Sequence, residues 1–305
     1  MTAADRPRST TARVLIPFAI VTLVWGSTWL VIRDQISVVP ASWSVAYRFL
    51  VAGLAMAAYA KLRGERLWLD RRGFMFAATL GAMQFSLNFN FVYRAEAHIT
   101  SGLVAVIFAL LLVPNALFGR IFLGQRLGRQ LLLGAFVAVA GVALLFIHEA
   151  RVDPNAGSEV VLGIVLTLCG VCCASVANVM QATETAKRYP MMSLIAVAML
   201  VGAGIDAVFA LATVGPPVME WRVGYVAGIL WLALAGSTLA FPLYFSIIRQ
   251  IGPAKAAYNS VLVPVIAMLL STLFEGYRWS PLAIAGALVT GAGLVIALTA
   301  RRPVR

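Results

Sequence analysis

From Val14 to Thr299 the chain alternates long apolar runs with short polar breaks. The runs fall at residues 14–32, 42–60, 73–93, 100–119, 130–147, 160–182, 191–214, 224–248, 254–274 and 281–299. Each is close to the ~20 residues that a helix needs to cross a hydrocarbon core about 30 Å thick. The breaks carry turn and helix-start chemistry: Pro40, the charged stretch 61–72, Asp153-Pro154-Asn155, Tyr189-Pro190 and Pro216-Pro217. The pattern predicts an all-α membrane protein of ten transmembrane helices.

Composition agrees with that pattern. Of 305 residues, 61% are hydrophobic and 12% charged, against about 25% charged in ordinary soluble domains. One soluble core cannot hide so much apolar surface, so lipid must solvate much of it. The first run is too long for the apolar core of a signal peptide, and no small-residue cleavage site follows it. It reads as the first permanent span.

The net charge of +12 is spread through short loops, which argues against a nucleic-acid partner. With the N-terminus inside, the cytoplasmic segments hold 18 Lys and Arg and the outer loops hold 5. That bias is the positive-inside signal. It predicts both termini in the cytoplasm, in a bacterial-type inner (plasma) membrane.

The second half resembles the first. Pro40 matches Pro190, Pro114 matches Pro264 and Gln125 matches Glu275 at an offset of 150; Gly134 matches Gly286 and Gly141 matches Gly293 at 152. Five spans per copy put the copies in opposite orientations. The expected organisation is a first five-helix repeat (1–147), an outer connecting loop (148–159) and a second, inverted repeat (160–305).

Several motifs are similar to those of the drug/metabolite transporter superfamily, and of its EamA family in particular. They are Trp25-Gly26-Ser27-Thr28-Trp29 in the first span, Arg48-Phe49-Leu50-Val51-Ala52 in the second, Pro114 and Pro264 in spans four and nine, and the glycine-rich spans five and ten. One departure stands out: Gly124 is followed by Gln125 where the family usually has Gly-Glu, and Glu275-Gly276 reverses the order in the second half. The resemblance implies a ten-helix carrier of small molecules, commonly an exporter of amino acids or other metabolites. Within the family the chain looks most like exporters of amino acids with aromatic or bulky apolar side chains.

Polar residues in an apolar span need a partner or a cavity, so they mark candidate positions. In span three Gln84 and Asn88 share one face, and Ser86 and Asn90 a nearly opposite one, so protein or a cavity should surround this helix. In span eight Ser237 and Tyr244 share a face with Phe241, and Pro242 removes a backbone donor. Span six offers Ser175 and Asn178 in a stripe with Gln181, suited either to a cavity wall or to bonding between helices. Trp25 lies too deep for the interfacial belt and suits a wall for an apolar side chain; Trp29 suits wall or belt. Pro114 and Pro264 are matched interruptions, and Tyr258 and Asn259 flank the second; such matched breaks point to a midplane site. Trp25, Gln84, Asn88, Ser175, Asn178, Ser237, Tyr244, Tyr258 and Asn259 are therefore the candidate substrate-binding residues. Pro114, Pro242 and Pro264 are the candidate hinges.

Two full charges are intramembrane. Arg48 and Asp206 each lie about eight residues from the outer end of their spans, roughly 12 Å deep at ~1.5 Å per residue. They suit an ion pair, the two ends of a zwitterion, or separate roles at helix-end carbonyls and a water-filled vestibule. Glu96 and His98 belong to the outer mouth before span four.

Other chemistry is not encouraged. Cys169, Cys172 and Cys173 lie within one span, and no Cys/His spacing suits a metal. No phosphate-binding loop motif is present, so no nucleotide cofactor is expected, and the scattered acids do not suggest an enzyme. The expected partners are a small-molecule substrate and lipid. The small-residue face from Gly286 to Thr290 suits packing within one chain or in a homodimer. A multidrug, sugar or amine carrier of the same fold, or a passive channel, stays open.

Overall fold

The computed structural model describes residues 6–125, 128–152, 157–257 and 259–298, which leaves candidate Tyr258 outside the described residues. Among these residues the chain is helical and contains no strand. A helix suits lipid because it satisfies its backbone groups within one segment. The helices are α1 (Arg6–Gln35), α2 (Ala41–Leu62), α3 (Arg71–Leu80), α4 (Asn88–Ala95), α5 (Ser101–Phe108), α6 (Leu112–Leu123), α7 (Arg129–Val152) and α8 (Gly157–Gln181). They continue as α9 (Glu184–Lys187), α10 (Met191–Thr213), α11 (Val223–Leu230), α12 (Ala240–Ile251), α13 (Pro253–Ala256), α14 (Asn259–Phe274) and α15 (Pro281–Leu298). Among the described residues six segments are long and apolar enough to cross a membrane: Val14–Gln35, Ala41–Leu62, Ser101–Leu123, Gly157–Gln181, Met191–Thr213 and Val223–Ile251; Leu262–Phe274 and Pro281–Gly293 are shorter apolar helices.

Local chemistry explains the starts and stops. Pro40 and Pro190 stand just before α2 and α10 with nearly the same backbone angles, φ −53°, ψ 135° and φ −56°, ψ 127°. A proline there has fixed φ and gives up only a donor that a helix start leaves unused. Asp70 caps α3 by accepting from the Gly73 amide at 2.7 Å. Gly124 and Gly276 close α6 and α14 in the left-handed region, at φ 65° and φ 70°. Beyond each, Gln125 N donates to Gly119 O and Tyr277 N to Ser271 O, the long backward bond of a Schellman turn. The equivalent pairs lie 152 apart, so Gln125 corresponds to Tyr277. The pairing of Gln125 with Glu275 is thereby corrected: Glu275 stands one residue before its turn, where the first copy has Leu123.

Packing follows small residues. On α7 and α15 the backbones nearly touch: a Cβ on Gly141 would sit 2.3 Å from Thr290 N, and one on Gly293 would sit 2.2 Å from Ala138 N. The face from Gly286 to Thr290 is thus occupied within the chain by α7. The main core joins α1, α2, α4, α5, α10 and α12 through Trp29, Phe49, Phe85, Met199, Phe241 and their neighbours.

Candidate functional site: an aromatic cavity with one buried cation

Two helices that line the cavity are wound wide at matching places. Gly81–Leu87, between α3 and α4, and Trp231–Leu239, between α11 and α12, are π-helical, and their starts lie 150 residues apart. Such turns insert a residue and re-aim the side chains around them, often at functional sites. In the second, Ser237 and Thr238 hydroxyls donate five residues back, to Leu232 O at 2.8 Å and Ala233 O at 3.0 Å. The disturbance expected at Pro242 therefore falls upstream, and Pro242 itself sits in the first turn of α12.

The proline interruptions of spans four and nine are not identical. Pro114 follows a 3-10 turn, Ala109–Leu111, whereas Pro264 lies within α14, which starts at Asn259. The two breaks meet: Ser260 Oγ donates to Ala109 O at 3.2 Å.

Around this meeting point is a cavity of about 80 Å³. At ~10–15 Å³ per water it has room for roughly six waters, less than the ~300–1,000 Å³ of a pocket for a larger ligand. Its wall is aromatic. The Trp25 ring lies 4.8 Å from Tyr244 and 5.3 Å from Phe241; Phe241 lies 5.0 Å from Phe85; Trp29 lies 5.6 Å from Phe108. Trp25 Nε1 donates to Gly236 O at 3.0 Å, which fixes the indole across from the wide turn.

Arg48 supplies the charge. It is fully buried and lines the cavity. Its Nε donates to Ser237 Oγ at 3.1 Å and its Nη1 to Tyr93 Oη at 3.5 Å, and its guanidinium carbon lies 4.3 Å from the centre of the Phe89 ring. Among the described residues it forms no ion pair. Buried cations are normally paired, so a hydroxyl, a phenol and a ring face leave this one open to an anionic group. Gln84, Asn88 and Asn259 also line the cavity, and Gln84 Oε1, Asn88 Oδ1 and Asn259 Oδ1 are buried without a hydrogen-bond partner among the described residues. Those acceptors suit an ammonium group.

Asp206 lies elsewhere. It accepts from Ser86 Oγ and, at 2.8 Å, from Asn90 Nδ2, on the face of span three that turns away from the cavity. The ion pair with Arg48 is not formed. An Arg48→Asp, Asp206→Arg double variant should therefore stay inactive in a liposome transport assay; recovery beside two dead single variants would contradict this geometry.

The structure brings together Trp25, Gln84, Asn88, Asn178, Tyr244, Asn259 and Pro264 on the cavity, with Ser237 behind Arg48. Ser175 is buried but does not line it, and Pro114 and Pro242 shape helices without touching it. Asn178 donates to Asn115 Oδ1 and Asn115 to Pro253 O, both at 3.4 Å, linking α8, α6 and α13. Phe108, Ile32 and Val263 on the wall are absent from the sequence-based set. Ile32 was accessible to helical spacing, since Trp25, Trp29 and Ile32 form one stripe.

Comparison with known proteins fits this arrangement. The model of the EamA-like transporter family matches residues 13–147 and again 161–299. YedA of Escherichia coli, named as an uncharacterized inner membrane transporter, is 28% identical over 83% of this chain and 80% of its own length. A protein of Streptantibioticus cattleyicolor named as a probable terminal-alkyne amino-acid exporter is 24% identical over 90% of this chain and 89% of its own length. A crystal structure 21% identical in sequence superposes with a TM-score of 0.69 over 94% of this chain and 97% of that one, and so shares the fold. With two family matches spanning nearly the whole sequence, this chain belongs to the EamA-like transporter family.

Proposed function

We propose that this transporter exports amino acids, with a preference for aromatic or bulky apolar side chains, by alternating access. In this reading ten spans form two inverted five-helix repeats in an inner membrane, with both termini and the Asp70 end in the cytoplasm. The double family match, the paired wide turns and the paired Schellman turns support the duplication. The observation that carries the substrate class is the unpaired Arg48 guanidinium among aromatic rings. A carboxylate would take the cation, an ammonium the free amide oxygens, and the ring wall an apolar side chain. The relative named as a probable amino-acid exporter points the same way. A cavity this small admits a bulky substrate only after its walls part, which favours rocking of the halves over an open channel.

The test is counterflow in proteoliposomes with a panel of amino acids, amines and sugars. Movement of phenylalanine or leucine but not of their amines or amides is expected. Movement of cationic amines alone would favour a multidrug carrier, and unitary currents in a planar bilayer would favour a channel. Trp25→Ala should raise KM for aromatic substrates about fivefold, since an aromatic pair contributes about 1 kcal/mol beyond its area. KM for alanine should change little; an equal rise for both would remove Trp25 from side-chain recognition.

A further inference from the structure

The least explained polar group lies away from the cavity. Glu96 follows α4 directly and is fully buried, yet among the described residues neither carboxylate oxygen has a hydrogen-bond partner. Its sequence position suggests a solvated loop acid like its neighbour His98, which pairs with Glu159. Glu275, beyond the end of α14, belongs to the other half of the chain. Its Oε2 accepts from Ser101 Oγ at 2.6 Å, so α5 and the end of α14 are tied across the halves, while its Oε1 is buried without a partner among the described residues. Ser271 Oγ, in the last turn of α14, is also buried and has no partner among the described residues. A native structure rarely leaves such groups without a reason.

The charges that bear on Glu96 are Glu275 from the end of α14, Arg33 from α1 and Arg48 from α2, and Glu96 in turn bears on the Tyr93 phenol of α4. Burial pushes the Glu96 carboxyl well above the usual carboxylate range; the neighbouring Glu275 adds to this, and Arg33 and Arg48 oppose it. An ionised carboxylate with no donor in a dry site costs several kcal/mol.

We propose that Glu96 and Glu275 form a proton site that holds the two halves closed at this end while it is protonated and parts them when the proton leaves. On ionisation the Glu96 O–H gives its proton to water on the Glu96 side. The buried negative charge is then relieved by opening, which lets that water reach both carboxylates and breaks the Ser101–Glu275 tie. The closed state binds the extra proton, so it is favoured at low pH and loses ground as pH rises above the ordinary Glu value of about 4.3. This inference rests on alternating access and not on the substrate.

The test reads opening directly, without substrate. In a chain with Cys169, Cys172 and Cys173 replaced by serine, Ala109→Cys places one thiol on the cavity wall. Its reaction with a membrane-impermeant methanethiosulfonate, added on the Glu96 side, is followed from pH 5 to 8.5. Dividing by the rate of Ala97→Cys on the exposed loop removes the pH dependence of the thiol itself. The normalised rate should rise about tenfold, as for roughly one unit of proton linkage. Glu96→Gln, a neutral mimic of the protonated acid, should hold it at the low-pH rate throughout. Glu275→Gln removes the repulsion and should move the midpoint to lower pH. A flat wild-type profile, an unchanged slope in Glu96→Gln, or an unmoved midpoint in Glu275→Gln would overturn the proposal. Should Glu96→Gln not fold, the midpoint of Glu275→Gln decides alone. None of these outcomes depends on which molecule is carried, so the amino-acid reading stands or falls separately.

Discussion

Replacing Arg48 with glutamine should abolish transport of carboxylate-bearing substrates and leave the folded protein as stable as before, or more so. The two halves of this expectation have different origins. A hydrogen bond to a charged group contributes about 1.5–3 kcal/mol, and the bidentate guanidinium–carboxylate pair lies toward the upper end of that range. Its loss corresponds to roughly a hundredfold in affinity. Stability behaves otherwise, because among the described residues the buried cation has no anionic partner. Its neighbours do not depend on it: Ser237 Oγ donates to Leu232 O, and Tyr93 Oη donates to Gln35 Oε1 at 3.1 Å. Removing an uncompensated buried charge relieves desolvation. Arg48→Lys keeps the charge but not the fork and should retain partial transport. Counterflow and a thermal melt in detergent decide the matter. A glutamine variant that still moves phenylalanine within threefold of wild type would displace Arg48 as the anchor. One that melts well below wild type would show a structural role instead.

What the sequence discloses about this site depends on whether a feature is local. The opposite faces of span three are local, since Gln84 and Asn88 lie four apart, as do Ser86 and Asn90. The first pair lines the cavity and the second meets Asp206. Which group each face meets is not local. Arg48 and Asp206 stand at similar depth in spans two and seven, and depth alone leaves an ion pair open beside separate roles. Helix rotation, visible only in the packed bundle, sends one to Ser237 and Tyr93 and the other to Ser86 and Asn90. Ser175 misses the cavity for the same reason, although Asn178 three residues later reaches it.

Other features hide because propensity rules do not describe them. Nothing in Gly81–Leu87 or Trp231–Leu239 announces an extra residue per turn, and a wide turn shifts every later side chain on its helix. Glu96 misleads in another way. A glutamate just past a span usually meets water, and only tertiary burial between the halves takes it from solvent. Glu275 matches Leu123 and not Gln125, a difference of two residues, because the two-residue insertion precedes Gly276 rather than following it. The elements themselves follow from apolar run length and proline position. Among the described residues six of the expected spans meet the length and apolarity for crossing a membrane, and Gln84, Ser86, Asn88 and Asn90 make the third more polar.

The sharpest stability effect should come from one methyl group on α15. Gly293→Ala puts a Cβ where Ala138 N would be 2.2 Å away, Ala138 Cα 2.7 Å and Gly134 O 2.7 Å. All three are backbone atoms, so no side chain can swing aside and α7 must move bodily. Overpacking of this kind costs about 1–3 kcal/mol, occasionally more. Two residues earlier on the same helix, a Cβ on Gly291 would meet nothing within 4 Å. There the intrinsic gain of about 1 kcal/mol for alanine over glycine in a helix is unopposed. The same substitution should therefore have opposite signs at 291 and 293, which no effect of composition or lipid affinity could produce. Thermal melting followed by fluorescence-detected gel filtration would show Gly293→Ala well below wild type and Gly291→Ala at or above it. Equal melting temperatures for the two would mean that α7 and α15 do not approach as described. Neither helix contributes to the cavity wall, so whatever fraction of Gly293→Ala does fold should bind substrate with wild-type affinity. Stability without binding at Arg48→Gln, and binding without stability at Gly293→Ala, would separate the site from the helix pair that joins the two halves.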